Sequence, residues 1–250
     1  AVKRNGQWEK FTSLQFKEFV DDFSYGLLAA GFKKGDKILT VSNNRPEWNF
    51  IDMGMSQVGV VHVPIYPNNG PKEYEHILVH SDARIIIVSS KEFYDNLSGF
   101  AKSAPNIEKV YSIDTVEGAP NWMYFVELGR ENREKYKDEL KKIKESIDPQ
   151  DLVSIIYTSG TTGLSKGVML SHDNFISNVN ATKDILPVDG TEMFLSFLPL
   201  CHVLERMVNY LIMTNGAAVY YAESIETIYE KSSRKGLLPF LGFLKRYSTR

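Results

Sequence analysis

Residues 157–172 read YTSGTTGLSKGVMLSH, a run of hydroxyl residues and glycines with one lysine and almost no bulk before Val168. Thr158, Ser159, Thr161 and Thr162 offer hydroxyl donors, and Lys166 adds a mobile positive charge. Gly160 and Gly163 permit positive φ, so successive backbone N–H groups can turn toward one point and form an anion nest. Hydroxyls, converging N–H groups and an ammonium together meet the needs of a polyphosphate. The order differs from the common nucleotide P-loop, because Lys166 precedes Gly167 and no Gly-Lys-Ser/Thr triplet occurs. On residue types alone two readings stay open: a phosphate-binding loop and an ordinary flexible turn.

Other residues with chemical potential are sparser. Cys201 and His202 are adjacent in LPLCHVLERM. A histidine there is either a site residue or a helix cap, and the cysteine beside it invites a nucleophile reading. His76 and His80 share a helix face at i, i+4. The residues between them are Ile-Leu-Val, without the glutamate of a zinc protease, which argues against a metal pair. Residues 127–145 are crowded with Lys, Glu and Arg of mixed sign, the pattern of a solvated helix or loop rather than a docking patch.

The elements that must carry these residues alternate. A helix is expected behind Thr12-Ser13-Leu14-Gln15, which has capping-box spacing, and Gly31 can end it. Lys37–Val41 reads as a strand, Pro46 opens a second helix, and residues 58–64 read as a strand that stops at proline. Pro71 opens a helix through His80, and RIIIVSS from Arg84 is a β-branched run suited to a strand buried on both faces. Strands are further expected at 109–113, 152–157, 167–170 and 193–197. Ser171 is an N-cap candidate for a helix over 172–185, and LPLCHVLERMVNYLIM begins near Pro199 and turns helical. Strands alternating with helices predict an α/β fold of layered βαβ units with a largely parallel sheet. The phosphate-loop candidate then lies after the C-terminal end of a buried strand.

Composition bounds the rest. The 250 residues are 43% hydrophobic, enough for a sizeable core. A net charge of −2 gives no electrostatic support to a nucleic-acid partner. One cysteine cannot make an internal disulfide, which fits a reducing compartment. No apolar run reaches the ~18 residues of a spanning helix, and no signal peptide opens the chain. A cytoplasmic protein is the expectation.

The segment from Thr158 through Val168, TSGTTGLSKGV, resembles the signature of the AMP-forming adenylating enzymes, which include acyl-CoA synthetases, luciferases and peptide-synthetase adenylation domains. LSHDNF from Leu170 is similar to the segment that follows in that superfamily. FLPLCHVLERM from Phe197 resembles its next motif, most closely in long-chain fatty acyl-CoA synthetases. Residues 60–88 resemble its early βαβ region. Ser165 departs from the family, which usually has proline there. The resemblance covers roughly residues 8–228 and implies the N-terminal part of the large adenylation domain over 1–228. Residues 229–250 are an unassigned tail, and the motifs of the adenine loop, the ribose aspartate and the C-terminal lid do not occur in the chain.

The resemblance implies a two-step reaction: a carboxylate attacks the α-phosphorus of ATP and expels pyrophosphate, and the thiol of coenzyme A then takes the acyl group. It assigns Thr158, Ser159, Gly160, Thr161, Thr162, Gly163 and Lys166 to the β- and γ-phosphates, Thr162 also to magnesium, and His202 to the acyl carboxylate and α-phosphate. Lys166 and His202 are the expected catalytic residues. This chemistry activates its acid on ATP, so Cys201 is not expected to be a nucleophile. The expected substrates are a fatty acid, ATP and coenzyme A, with peripheral membrane contact implied by the fatty substrate and oligomeric state left open. Two alternatives stand beside this reading: adenylation of an aryl or amino acid, and a non-catalytic nucleotide- or acyl-binding module. These 250 residues alone are expected not to turn over.

Overall fold

The computed structural model describes residues 1–4, 6–158, 163–183, 185, 188–222 and 237–239. They form two compact units. One comprises residues 13–43 and 47–172; the other comprises 1–12, 44–46 and the chain from Asp173 onward.

The larger unit follows the expected alternation: α1 (Ser13–Ala29), β3 (Lys37–Val41), α2 (Pro46–Val58), β4 (Val61–Ile65), α3 (Pro71–His80), β5 (Ile85–Val88), α4 (Lys91–Ala101), β6 (Lys109–Ser112), α5 (Met123–Ser146), β7 (Leu152–Thr158) and β8 (Lys166–Ser171). β1 (Val2–Arg4) and β2 (Gln7–Glu9) precede it and belong to the other unit. The six strands β3–β8 lie in the order β6-β5-β3-β4-β7-β8, all parallel except the antiparallel β7–β8 pair at the edge. β5 reads as an unbroken apolar run, and β4 is buried along its whole length, because both sheet faces are covered. Leu39, Val41, Val63, Ile65, Ile86 and Val88 pack with Ile77 and Leu78 of α3 and Leu97 of α4. The alternate residues point to the opposite face. There His62 Nδ1 meets Asp52 Oδ1 at 2.7 Å, and its Nε2 meets Thr40 Oγ1 at 2.7 Å. The connectivity is that of a hydrolase triad, but all three are at most 2% exposed, so the chain of bonds ties α2 to β4 and β3.

Two expectations are corrected. Residues 58–64 are not one strand: α2 runs on through Val58, Gly59 turns the chain at φ +77°, and β4 begins at Val61. Nor does the strand stop at proline, because Pro64 sits inside β4 opposite Thr40. β4 joins β7 at the single register pair His62↔Ser154, so beyond it Pro64 has no ladder on that side for its missing N–H to break. The charged stretch from 127 onward is helical. Its buried residues Phe125, Val126, Gly129 and Leu140 form the inner stripe of α5. α1 and α5 cross at backbone contact, since a Cβ on Gly26 would lie 1.8 Å from Phe125 O and one on Gly129 1.7 Å from Asp22 O.

The smaller unit contains β1, β2, α6 (His172–Lys183, from Asp173 onward), β9 (Met193–Ser196), α7 (Val203–Thr214), β10 (Ala218–Tyr221) and β11 (Leu237–Pro239). Its sheet runs β11-β9-β10-β1-β2, parallel except for β1–β2. The last helix starts at Val203, four residues later than Pro199. β11 falls in the segment expected to be an unassigned tail and pairs with β9.

Candidate functional site

The glycine- and threonine-rich loop joins β7 to β8 as an antiparallel hairpin, with Thr158 and Lys166 as its last facing pair. It therefore leaves the sheet at the C-terminal end of a parallel-sheet strand, the end where open α/β sheets bind ligands. Of the residues expected to hold phosphate, Thr158, Gly163 and Lys166 are described. Ser159, Gly160, Thr161 and Thr162 lie outside the described residues, and with Thr162 the expected magnesium contact. Gly163 takes φ +132°, a region that favours glycine, and no atom of the described residues beyond its chain neighbours lies within 4 Å of where its Cβ would be. An anion could therefore approach this peptide closely. Thr158 and Lys166 are exposed.

The hairpin below the loop is tightly built. A Cβ on Gly167 would stand 2.7 Å from Ile155 Cγ2 and 3.4 Å from Tyr157 Cζ, so the residue after Lys166 has room for hydrogen only. Tyr157 is buried, and burial pushes its phenol up to about 12. Its hydroxyl lies 2.7 Å from His80 Nδ1. One helical turn earlier, His76 Nε2 lies 2.9 Å from Ser165 O. A carbonyl only accepts, so His76 carries the proton at Nε2 and donates it. The two imidazoles that resembled a metal pair are thus spent on the loop's two flanks. Among the described residues no cluster of three or more metal-ligating side chains occurs. Sequence spacing placed both histidines on one face, but their partners are 77 and 89 residues away. Ser165, where proline was expected, is buried, and its Oγ has no hydrogen-bond partner among the described residues.

His202 belongs to the smaller unit and is described there. It is the N-cap of α7: its Nδ1 accepts from Leu204 N at 3.2 Å, while its side chain stays exposed. The turn that delivers it is held by Asn44, whose Nδ2 donates to Ser196 Oγ at 3.1 Å and Leu198 O at 2.6 Å and whose Oδ1 accepts from Leu200 N at 3.0 Å. Beneath this turn Glu205 is buried with Ser196 Oγ at 2.6 Å from its carboxyl. Desolvation raises the Glu205 carboxyl from 4.5 to about 7, against the opposing pull of Ser196 and Asn209. Arg206 is fully buried, with its guanidinium 4.6 Å from the Phe175 ring centre and its Nε 2.8 Å from Tyr210 Oη. Cys201 is buried, and burial lifts its thiol to about 12, which keeps it from being a thiolate. Glu205 and Arg206 escaped the sequence reading because burial, not residue type, makes them notable, and Asn44 because its partners lie more than 150 residues away.

The model of the family described as AMP-binding enzyme matches residues 1–235. The chain belongs to that family. A chloroplastic protein of Arabidopsis thaliana named "Probable acyl-activating enzyme 16" is 34% identical over 84% of this chain and 31% of its own length. A long-chain-fatty-acid–CoA ligase of Gallus gallus is 30% identical over 89% of this chain and 30% of its own length. The chain thus spans about a third of the length of these curated relatives. ATP-bound MatB from Rhodopseudomonas palustris superposes with a TM-score of 0.71 at 19% identity, covering 94% of this chain and 44% of that one. The inhibitor-bound N-terminal domain of FACL13 from Mycobacterium tuberculosis gives 0.67 at 20% identity, covering 87% and 52%. The shared fold is that of adenylating-enzyme N-terminal domains, α/β with parallel sheets. Among the described residues no helix is long and apolar enough to cross a membrane.

Proposed function

We propose that this chain is the N-terminal part of the large domain of an AMP-forming ligase, one that uses ATP to activate a fatty acid as its acyl adenylate and passes the acyl group to coenzyme A. The observation that carries the reading is the hairpin at the end of β7: Thr158 and Lys166 face each other, and Gly163 exposes its backbone at φ +132° between them. Membership in the AMP-binding family supports the adenylation step, and the long-chain-fatty-acid–CoA ligases among the relatives support the acid class.

In this reading Thr158, Gly163 and Lys166, with Ser159, Gly160, Thr161 and Thr162, hold the β- and γ-phosphates. Positioned donors stabilise the charge that builds on the departing pyrophosphate without reorganising when it forms. Lys166 supplies the one formal charge of the set, from an exposed strand end where it can meet phosphate. Magnesium, approached by Thr162, would neutralise phosphate charge. His202 holds the acyl carboxylate and α-phosphate from the start of α7, where its Nδ1 caps the helix. The thiol of Cys201 is buried and raised to about 12, which disfavours an acyl-enzyme and agrees with activation of the carboxylate on ATP.

The test is pyrophosphate release by the protein in its full gene-encoded length, with ATP, magnesium and a panel of fatty, aryl and amino acids. Release that depends on a fatty acid, followed by thioester formation when coenzyme A is added, is the expected result. Release only with aryl or amino acids would overturn the acid class. No release with any acid would overturn the adenylation reading.

A further inference from the structure

The loop's chemistry depends on where the peptide before Lys166 points. Ser165 to Gly167 is the return of the hairpin, and it runs into β8, an edge strand. Edge strands fray more readily than central ones because one side of the ladder is missing. α3 compensates from the same unit. Pro71 starts that helix with a preset φ, Tyr74, Ile77 and Leu78 bury its inner stripe, and His76 and His80 project one turn apart beside β7 and β8. Their rings are 5.2 Å apart, and both lie edge-on to Tyr157 at 6.3 and 5.8 Å.

We propose that His76 is a positioning residue for the phosphate loop: its Nε2–H holds the Ser165 carbonyl and thereby fixes the peptide that presents Lys166 to ATP, while the His80–Tyr157 bond fixes the opposite strand. The inference rests on the phosphate-loop reading above. The bond goes to a backbone carbonyl, so it does not depend on the side chain at 165. Both the neutral Nε2–H tautomer and the imidazolium donate from this atom, so the clamp holds in either charge state. The anchored carbonyl is one peptide from Lys166, and Tyr157 packs where Gly167 leaves room, so both neighbours of the lysine are held. A preorganised lysine contributes more in the transition state than one that must be ordered at each turnover.

The experiment compares His76→Phe, which keeps the ring volume and loses the donor, with His76→Gln, whose amide N–H reaches a similar distance, in the full-length protein. The expected result is a loss of about tenfold in kcat/KM for ATP in the phenylalanine variant, the worth of roughly one hydrogen bond. The KM for the carboxylate should stay unchanged, the melting temperature should fall by no more than a few degrees for the lost bond, and glutamine should restore the ATP parameters. If phenylalanine prevents folding, His76→Gln and His76→Asn decide the matter, because asparagine carries the same amide one methylene short. Unchanged ATP parameters in the phenylalanine variant overturn the proposal, as do equal losses in glutamine and asparagine. Wild-type protein that releases no pyrophosphate with any acid overturns the underlying reading instead, which keeps the two failures apart.

Discussion

Thr158 and Lys166 stand opposite each other as the last register pair of the β7–β8 ladder, which sets a hydroxyl on one strand against an ammonium on the other. Closure by the ladder brings the two side chains together without any bond between them. No ion pair engages Lys166 among the described residues. Its charge is therefore available to a ligand at little cost in stability.

Lys166→Ala in the full-length protein is expected to lower the rate of adenylation by about one to two decades, the equivalent of a charge-assisted contact worth roughly 1.5–3 kcal/mol. The melting temperature should hardly move, because an exposed lysine without a partner contributes little to folding. Pyrophosphate release and a thermal melt on the same preparation check both halves. A lowered melting temperature with full release would make Lys166 a structural residue.

The amides of residues 163–167 are expected to exchange hydrogen more slowly when ATP and magnesium are saturating. Gly163 and Leu164 are exposed, so a ligand can reach their N–H groups. Phosphate oxygens would occupy them. Hydrogen exchange read by mass spectrometry on the peptide spanning the loop, with AMP as a control lacking the β- and γ-phosphates, tests this. Equal protection by AMP and ATP would place the phosphates elsewhere.

Much of this was legible in the residues. β5 announced itself as Ile-Ile-Ile-Val because both faces of the central sheet are covered, and the helices at Pro46 and Pro71 start where proline sits without cost at the first turn. The loop was legible because small hydroxyl residues pack poorly. What failed was long-range. Nothing local marks Pro64 as an interior strand residue, since its tolerance depends on how far β7 keeps pairing. The two histidines of α3 were visible as a pair, but their hydrogen-bond partners lie on β7 and the loop's return, which only the folded sheet brings near. Glu205 looks like any first-turn acid until its surroundings are closed over it.

Gly129→Ala is expected to destabilise the larger unit by about 3 kcal/mol or more, the upper range of overpacking effects. The added carbon would sit 1.7 Å from Asp22 O, a backbone atom that cannot swing aside. The helices α1 and α5 would have to separate. That motion would also pull Arg130 Nε away from the buried Asp22 carboxyl, now 2.9 Å distant. Gly99→Ala in α4 is the control, because no atom lies within 4 Å of its Cβ position and alanine is the better helix former. Urea unfolding of the two variants should move in opposite directions.

The last prediction concerns pH and Glu205. Its carboxyl is raised from 4.5 to about 7 in the folded chain, with desolvation outweighing the hydrogen bonds from Ser196, Asn209 and the Phe197 backbone. Between these values the folded state binds the proton and the unfolded state does not. Stability from this group is therefore fully present below about pH 4.5, falls as pH rises, and is lost above about pH 7. The span is worth at most roughly 3 kcal/mol, since each pKa unit is about 1.4 kcal/mol. Glu205→Gln keeps a polar group beside Ser196 Oγ but cannot ionise, so the difference in unfolding free energy between wild type and variant should shift toward the variant from pH 5 to pH 8. Urea titrations at several pH values read that difference directly. Parallel stability curves for the two proteins across this window would show that Glu205 ionises in the fold as easily as in water.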